Sequence, residues 1–398
     1  MKNLWIGVGN SAESREIIAS KGGKLLSAEI SNDALLAGLM ENGVFCDTIN
    51  SSRLPTYPEY PDKKIAPVYW QYENGKKGVS VGYTNRKYIN LISKRKSLVK
   101  EAKKWARENK DEEVTVFVYQ MTAYFMAAAC TVKKINKNAK IVLIVPDLPQ
   151  YMDMNMSTLK KLLKKLDWIS IKKYMKKVDK YILYTKHMAD FLKLKDGTFT
   201  VMEGSYDASL MADEEITPSE DKLSIMYSGV LDLRYGIREL LDTFKELPEN
   251  YELWLTGNGN AVSLIKERAE CDSRIKYLGY LPTRKDLLNK QREATMLIST
   301  RDPNEPASTY CFPSKIFEYM VSGNPVLSTR INGIPEEYFD YIIPIDSLDI
   351  SYLKSEIEKI AGMSKEERLA FGKRAKDFVL NEKNCNVQMQ RVINFIKD

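Results

Sequence analysis

Short, uninterrupted apolar runs rich in β-branched residues alternate with helix-length segments along this chain, and that rhythm constrains the fold more than any other feature. "LWIGVG" (4–9), "VTVFVYQ" (114–120) and "KIVLIVPDLP" (140–149) lack the polar alternation of a strand with one wet face. They read as strands covered on both sides, which parallel sheets flanked by helices produce. The neighbouring segments "DALLAGLMENG" (33–43), "KSLVKEAKKWARENK" (96–110) and "TAYFMAAACTVKKI" (122–135) are long enough for crossover helices. "KYILYTKHMADFLKL" (180–194) adds a strand and a helix, and "FTVMEGSYD" (199–207) follows.

The alternation restarts further on, with strands predicted at 223–231, 251–260, 275–281, 294–300, 325–329 and 341–346 and helices at 236–246, 261–270, 284–291 and 314–322. Between the halves, "ADEEITPSEDK" (212–222) is acidic and small and reads as a linker. Residues 51–90, with Pro55, Pro58, Pro61 and Pro67, break the rhythm and predict a long loop or irregular hairpin at the mouth of a sheet. Long loops inside domains usually carry function. A chain of 398 residues exceeds one ordinary core, so two α/β domains are expected.

A net charge of +7 spread over the molecule gives no reason to expect nucleic acid as a partner. The five cysteines, Cys46, Cys130, Cys271, Cys311 and Cys385, are scattered and unpaired in spacing, which fits a reducing compartment rather than a disulfide framework. No cleavable leader follows "MKNLWIGVGNSAESRE", and no run approaches the ~18 apolar residues of a membrane span. A cytoplasmic protein is expected, either free or peripheral at the inner face of the membrane. Lysines concentrate in 157–180, nine against two aspartates. Apolar residues there fall at 159, 162, 163 and 166, then at 171, 174, 175 and 178. One or two amphipathic basic helices are predicted; their apolar stripe either meets an anionic bilayer or packs on the first domain.

Ligands of open parallel sheets bind beyond the carboxyl ends of the strands. Three loops there bear glycine in the second half: "SGVLDLRYG" (228–236), "TGNGN" (256–260) and "LGYLP" (278–282). Glycine lets backbone approach a ligand and offers amides to a phosphate, although glycine also ends strands for no functional reason. A fourth loop leads into "CFPSKIFEYMVSGNPVLST" (311–329), where Ser314 is a natural N-cap and Glu318 an acid one turn into a helix. That acid either complements the helix dipole, pairs with Lys315 or meets a ligand. "GVGNSAESR" (7–15) lacks the lysine of a Walker loop and the third glycine of a dinucleotide fingerprint. The single histidine, His187, follows a strand at the start of a helix and invites a general-base reading because the chain has no other.

In order and spacing, "GVLDLRYGIRELLDTF", "LWLTGNGN", "IKYLGYL", "FPSKIFEYMVSGNPVLST" and "NGIPEEY" resemble the nucleotide-sugar domain of family 4 (group 1) glycosyltransferases, retaining enzymes of the GT-B fold, from about Leu223 to Tyr338. "DLPQYM" (147–152) is similar to bacterial surface-polysaccharide members. The resemblance implies two Rossmann-like doubly wound domains facing a cleft: an acceptor-binding domain at 1–205, a donor-binding domain at 220–375, and a helix at 376–398 crossing back to the first. It implies transfer of a sugar from a nucleotide-sugar, a UDP-sugar above others, to a glycan or lipid-linked acceptor in polysaccharide or glycoconjugate synthesis. No metal or other cofactor is implied.

The resemblance also assigns residues. Glu318 matches the glutamate that bonds the donor ribose. Cys311, Phe312, Pro313 and Ser314 fall against the phosphates and sugar, with Gly229 in the first loop; Gly257, Asn258, Gly259 and Leu278 fall near the base. The family carries a second glutamate eight residues earlier, where this chain has Tyr310. Its two diphosphate-gripping cations are replaced by Val230 and Tyr235. A departing diphosphate needs compensating charge, and Arg234, Arg301 and Lys315 are the cations at hand to supply it. Asp147 is expected to face the cleft and touch a sugar or cap the next helix, and Gly9 and Asn10 to line the acceptor side. The substituted positions leave a second expectation, a non-catalytic GT-B subunit that binds a glycan or a partner transferase.

Overall fold

A computed structural model describes residues 2–21, 27–151, 158–210, 216–219 and 221–398. The expected linker at 212–222 and the start of the basic stretch at 157 lie partly outside the described residues. The chain forms two compact units, residues 1–205 together with 385–398, and residues 206–384.

The first unit contains ten strands: β1 (Lys2–Val8), β2 (Asp47–Ser51), β3 (Lys64–Ile65), β4 (Val68–Gln71), β5 (Lys77–Ser80), β6 (Tyr83–Thr84), β7 (Val114–Tyr119), β8 (Lys140–Val145), β9 (Lys180–Leu183) and β10 (Phe199–Val201). Eight form one sheet in the order β10-β9-β8-β7-β1-β2-β5-β4, parallel except for the β4–β5 edge. The proline-rich region resolves into that antiparallel edge, a small β3–β6 ribbon and a helix, Ile89–Glu108. Every residue of β7 is buried, as its unbroken apolar run requires. Trp5 lies wholly inside, its ring stacked 6.1 Å from Phe117 and its indole N–H donated 2.8 Å to Asn32 Oδ1, so its one polar atom is satisfied.

The segment expected as one helix at 376–398 is divided. Helix Lys365–Glu382 belongs to the second unit, whereas helix Cys385–Lys397 joins the first. The latter crosses helix Ser27–Glu41 so closely that a Cβ on Gly38 would sit 2.2 Å from the Cys385 carbonyl oxygen. Asn42 Nδ2 donates to Asn386 O at 2.9 Å, and Gln388 Nε2 to Gly204 O at 2.9 Å.

Helix Thr158–Met175 carries the basic stretch. Its two apolar groups face opposite ways. Ile171 is buried and Trp168 lies 6.3 Å from the ring of Phe191, while Leu162, Leu166 and Ile169 are 55, 54 and 59% exposed. Leu162, Leu163 and Leu166 of the first stripe are therefore exposed, and no described helix is long and apolar enough to cross a membrane.

The second unit holds a six-stranded parallel sheet, β13-β12-β11-β14-β15-β16, made of β11 (Leu223–Val230), β12 (Tyr251–Asn258), β13 (Ile275–Gly279), β14 (Met296–Ser299), β15 (Val326–Thr329) and β16 (Ile343–Ile345). Successive side chains on a strand point to opposite faces. Accordingly Met296 and Ile298 enter a core with Leu240, Phe244, Ile265 and Ile357, while Leu297 enters another with Ile316, Phe317, Met320 and Phe378. In both large sheets the strand order reverses beside the first strand, between β11 and β14 and between β1 and β7. Helices leave to opposite faces at such a point and open a crevice at the carboxyl ends.

Candidate functional site

In the second unit the crevice is walled by the loop after β11, the loop after β14 and helix Lys315–Val321. Tyr319 pins that helix to β11: its hydroxyl accepts from Ser228 N at 2.7 Å and donates to Ser228 O at 3.0 Å. Gln291, fully buried on helix Arg284–Glu293, donates to Ser228 Oγ at 2.9 Å, so two helices share one anchor on the strand.

Glu318, on the helix so anchored, has a side chain 24% exposed and accepts from Arg284 Nη2 at 3.0 Å. Burial raises its pKa above the usual carboxylate value, while Arg284 and Gln291 oppose that rise. Arg284 was not foreseen from the sequence; a lone arginine after a turn, 34 residues from its partner, gives no local signal.

The three expected cations separate. Arg234 binds Asp232 through both Nε (2.9 Å) and Nη2 (2.8 Å), so its fork is already occupied. Lys315 lies with Nζ 3.7 Å over the ring of Tyr227, and burial, with Arg301 nearby, drives its pKa well below that of a free lysine. Arg301 stacks 4.9 Å over Tyr235 and donates to Ser308 Oγ at 3.1 Å and Cys311 Sγ at 3.4 Å. Lys315 and Arg301 thus converge on the β11–β14 crevice, with Tyr227 and Tyr235 beneath them. Val230, at the place of the family arginine, is 58% exposed.

The glycines divide similarly. Gly229 has φ +126° and open space where a side chain would be, with Lys315 Cδ the nearest atom at 3.9 Å. Gly257 is required by packing: its φ is +131°, and a Cβ would lie 1.8 Å from Gly229 O. Gly259 likewise presses against Leu231 O. Asn258 caps its own loop by accepting from Gly259 N at 2.9 Å, and Leu278 is half-buried at the end of β13. Phe312 is a core residue, 4% exposed and 4.9 Å from Phe317, so only its backbone can meet a ligand. Pro313 is buried and Ser314 exposed. Ser314 occupies the cap position in helical backbone without a capping bond from its side chain. Tyr310 and Cys311 are half-buried at the end of the 3₁₀ turn Pro306–Thr309, which Gly333 N anchors by donating to Ser308 O at 3.0 Å.

Gly9, Asn10 and Asp147 belong to the first unit. Asn10 lies at the carboxyl end of β1, where Nδ2 donates to Glu29 Oε1 (2.9 Å) and Oδ1 accepts from Ser52 (2.5 Å) and Ser80 (3.2 Å). Gly9 adjoins Asn50, and Asp147 is half-buried beyond β8, where its charge acts on the phenols of Tyr119 and Tyr184.

Residues 222–352 match the family model described as glycosyl transferases group 1. No curated protein sequence matches the chain. Among solved structures, Anabaena HepE in complex with UDP is 13% identical, with a TM-score of 0.67 over 100% of both chains. HepE has also been solved with UDP-glucose. Sucrose-phosphate synthase of Thermosynechococcus elongatus (14% identity, TM-score 0.63) and the lipopolysaccharide outer core galactosyltransferase WaaB (14%, 0.64) each align over 100% of this chain and 99% of their own. At these identities the likeness establishes architecture: the chain has the GT-B fold. The doubly wound class and the motif resemblance to group 1 transferases are both upheld.

Proposed function

From the GT-B fold of the whole chain and the group 1 signature across its second unit, we propose that this protein is a retaining glycosyltransferase using a UDP-sugar donor and a glycan or lipid-linked acceptor. The observation that carries the reading is the pairing, within one crevice, of the half-buried carboxylate of Glu318 with the cations Lys315 and Arg301. A carboxylate accepts from the two ribose hydroxyls. Two cations in a part-buried setting stabilise the diphosphate as it departs, without a metal ion. The acceptor oxygen bonds to the anomeric carbon as the bond from that carbon to the β-phosphate oxygen breaks, and the acceptor proton passes to the released phosphate.

Titration with UDP and UDP-glucose in a thermal-shift assay tests donor binding, because a ligand at ~100 times its dissociation constant adds ~2.7 kcal/mol of stability. Acceptor-dependent release of UDP, undiminished by chelator, tests the chemistry. The exposed Val230 and the tyrosine at 310 favour a second reading, a non-catalytic subunit that binds a glycan or partner transferase. Failure of every nucleoside diphosphate to bind would support that one.

The outward stripe of Leu162, Leu163, Leu166 and Ile169, flanked by exposed Lys161, Lys165, Lys172 and Lys173, supports peripheral attachment to an anionic bilayer. Leucines facing the acyl boundary with lysines at headgroup level are what an interfacial helix presents.

A further inference from the structure

We infer that the first unit carries an oxyanion site at the carboxyl ends of β1, β2 and β7, built on Arg53 and Lys94, and that the acceptor places a phosphate or carboxylate there. The assignment to the acceptor rests on the transferase reading; the site itself does not.

Arg53 follows β2 by two residues and is half-buried, yet among the described residues it makes no ion pair or hydrogen bond. The groups on which its charge acts are Lys94, Tyr119 and Tyr124, one cation and two phenols. Tyr119 ends β7 and Arg53 follows β2, and these strands flank β1, so the arginine lies at the carboxyl end of the sheet, one strand from the switch point between β1 and β7.

Lys94, on helix Ile89–Glu108, is only 6% exposed. Its Nζ donates to Ser52 O at 2.8 Å and stands 4.3 Å over the Tyr83 ring, with no carboxylate in contact among the described residues. Burial and Arg53 lower its pKa to about 8, opposed by Glu29, which already accepts from Asn10. Two adjacent cations drawn from water without a contacting counter-charge are costly unless a ligand completes them. On the two residues that end β2, Asn50 Oδ1 and Ser51 Oγ are buried, each residue 2% exposed, with no hydrogen-bond partner among the described residues. Ser51 can donate to an oxyanion, and Asn50 Oδ1 can accept only from a donor such as a sugar hydroxyl. The combination fits an acidic sugar, either phosphorylated or a uronic acid.

The test is titration of the full chain with inorganic phosphate and, separately, with glucuronate, followed by calorimetry, alongside UDP on the same preparation. At least one anion is expected to bind, about tenfold or more weaker in Arg53→Gln, with UDP affinity unchanged. Lys94→Gln, which retains a donor, should weaken the anion likewise. Absence of binding by both anions, or equal binding by wild type and Arg53→Gln, overturns the inference. Arg53-dependent anion binding in a protein that ignores UDP would instead leave the site standing and remove the transferase reading. The preferred anion, phosphate or carboxylate, identifies the acceptor's acidic group.

Discussion

Replacing Arg284 with methionine separates the two forces acting on Glu318. In the native protein burial raises the carboxyl pKa and the guanidinium, 3.0 Å away on a side chain 27% exposed, restrains that rise. A hydrogen bond to a charged group in such a setting contributes about 1.5–3 kcal/mol. Its loss leaves burial less opposed and moves the Glu318 midpoint further upward. A folded-state pKa raised above the unfolded value means the stabilising contribution is full at acidic pH and is lost as pH rises through the folded midpoint. Ligand-free Arg284→Met should therefore match wild type in acid and fall below it toward neutrality. Donor affinity runs the other way, since ribose hydroxyls donate to the ionised acid: it should be lost as pH falls, with a midpoint higher in the variant. Calorimetric titration with UDP-glucose, whose diphosphate does not titrate in this range, reads the midpoint. Identical midpoints in the two proteins would refute the coupling, and so would a Glu318→Gln control that keeps the wild-type pH dependence.

Tyr319→Phe removes the hydroxyl that serves both Ser228 N and Ser228 O, leaving a buried amide unpaired; a loss of about 1–3 kcal/mol is expected in denaturant unfolding. Lys315→Met should lower kcat about 10²–10³-fold with donor affinity less affected, whereas Arg234→Ala, whose fork is held by Asp232, should change turnover by less than about threefold in the same assay. Leu162, Leu166 and Ile169 changed together to serine should abolish flotation with anionic liposomes while leaving the melting temperature nearly intact, because more than half of each residue is exposed. Gly257→Ala should unfold the second unit or displace the β11 loop, seen as loss of the thermal transition or of UDP binding, since its Cβ has no room beside Gly229 O.

The second unit was readable strand by strand because short, mostly apolar runs alternate with helix-length segments: expected segments 223–231 and 251–260 appear as Leu223–Val230 and Tyr251–Asn258. β2, "DTINS", had no such signal. Its polar residues find partners of their own in part, Thr48 with Tyr72 and Asp47 with the Trp105 indole, while Asn50 Oδ1 and Ser51 Oγ have none among the described residues. Motif spacing could bring Glu318 and Lys315 to notice but not their surroundings. The Arg284 partner, the Tyr227 ring under Lys315, and the Asp232 carboxylate that occupies Arg234 are tertiary facts. Phe312 shows the limit from the other side: a residue beside the ligand loop whose side chain belongs to the core.

The first unit is closed by residues from the far end of the chain. Helix Cys385–Lys397 fills the bare backbone at Gly38, and until it is made that groove has nothing to cover it. On the ribosome, the unit begun first is therefore completed last, after all of residues 206–384 have been synthesised. A fragment ending at Ser205 would lack the helix that Gly38 and Asn42 meet, so any attempt to express the first unit alone must splice helix Cys385–Lys397 onto it.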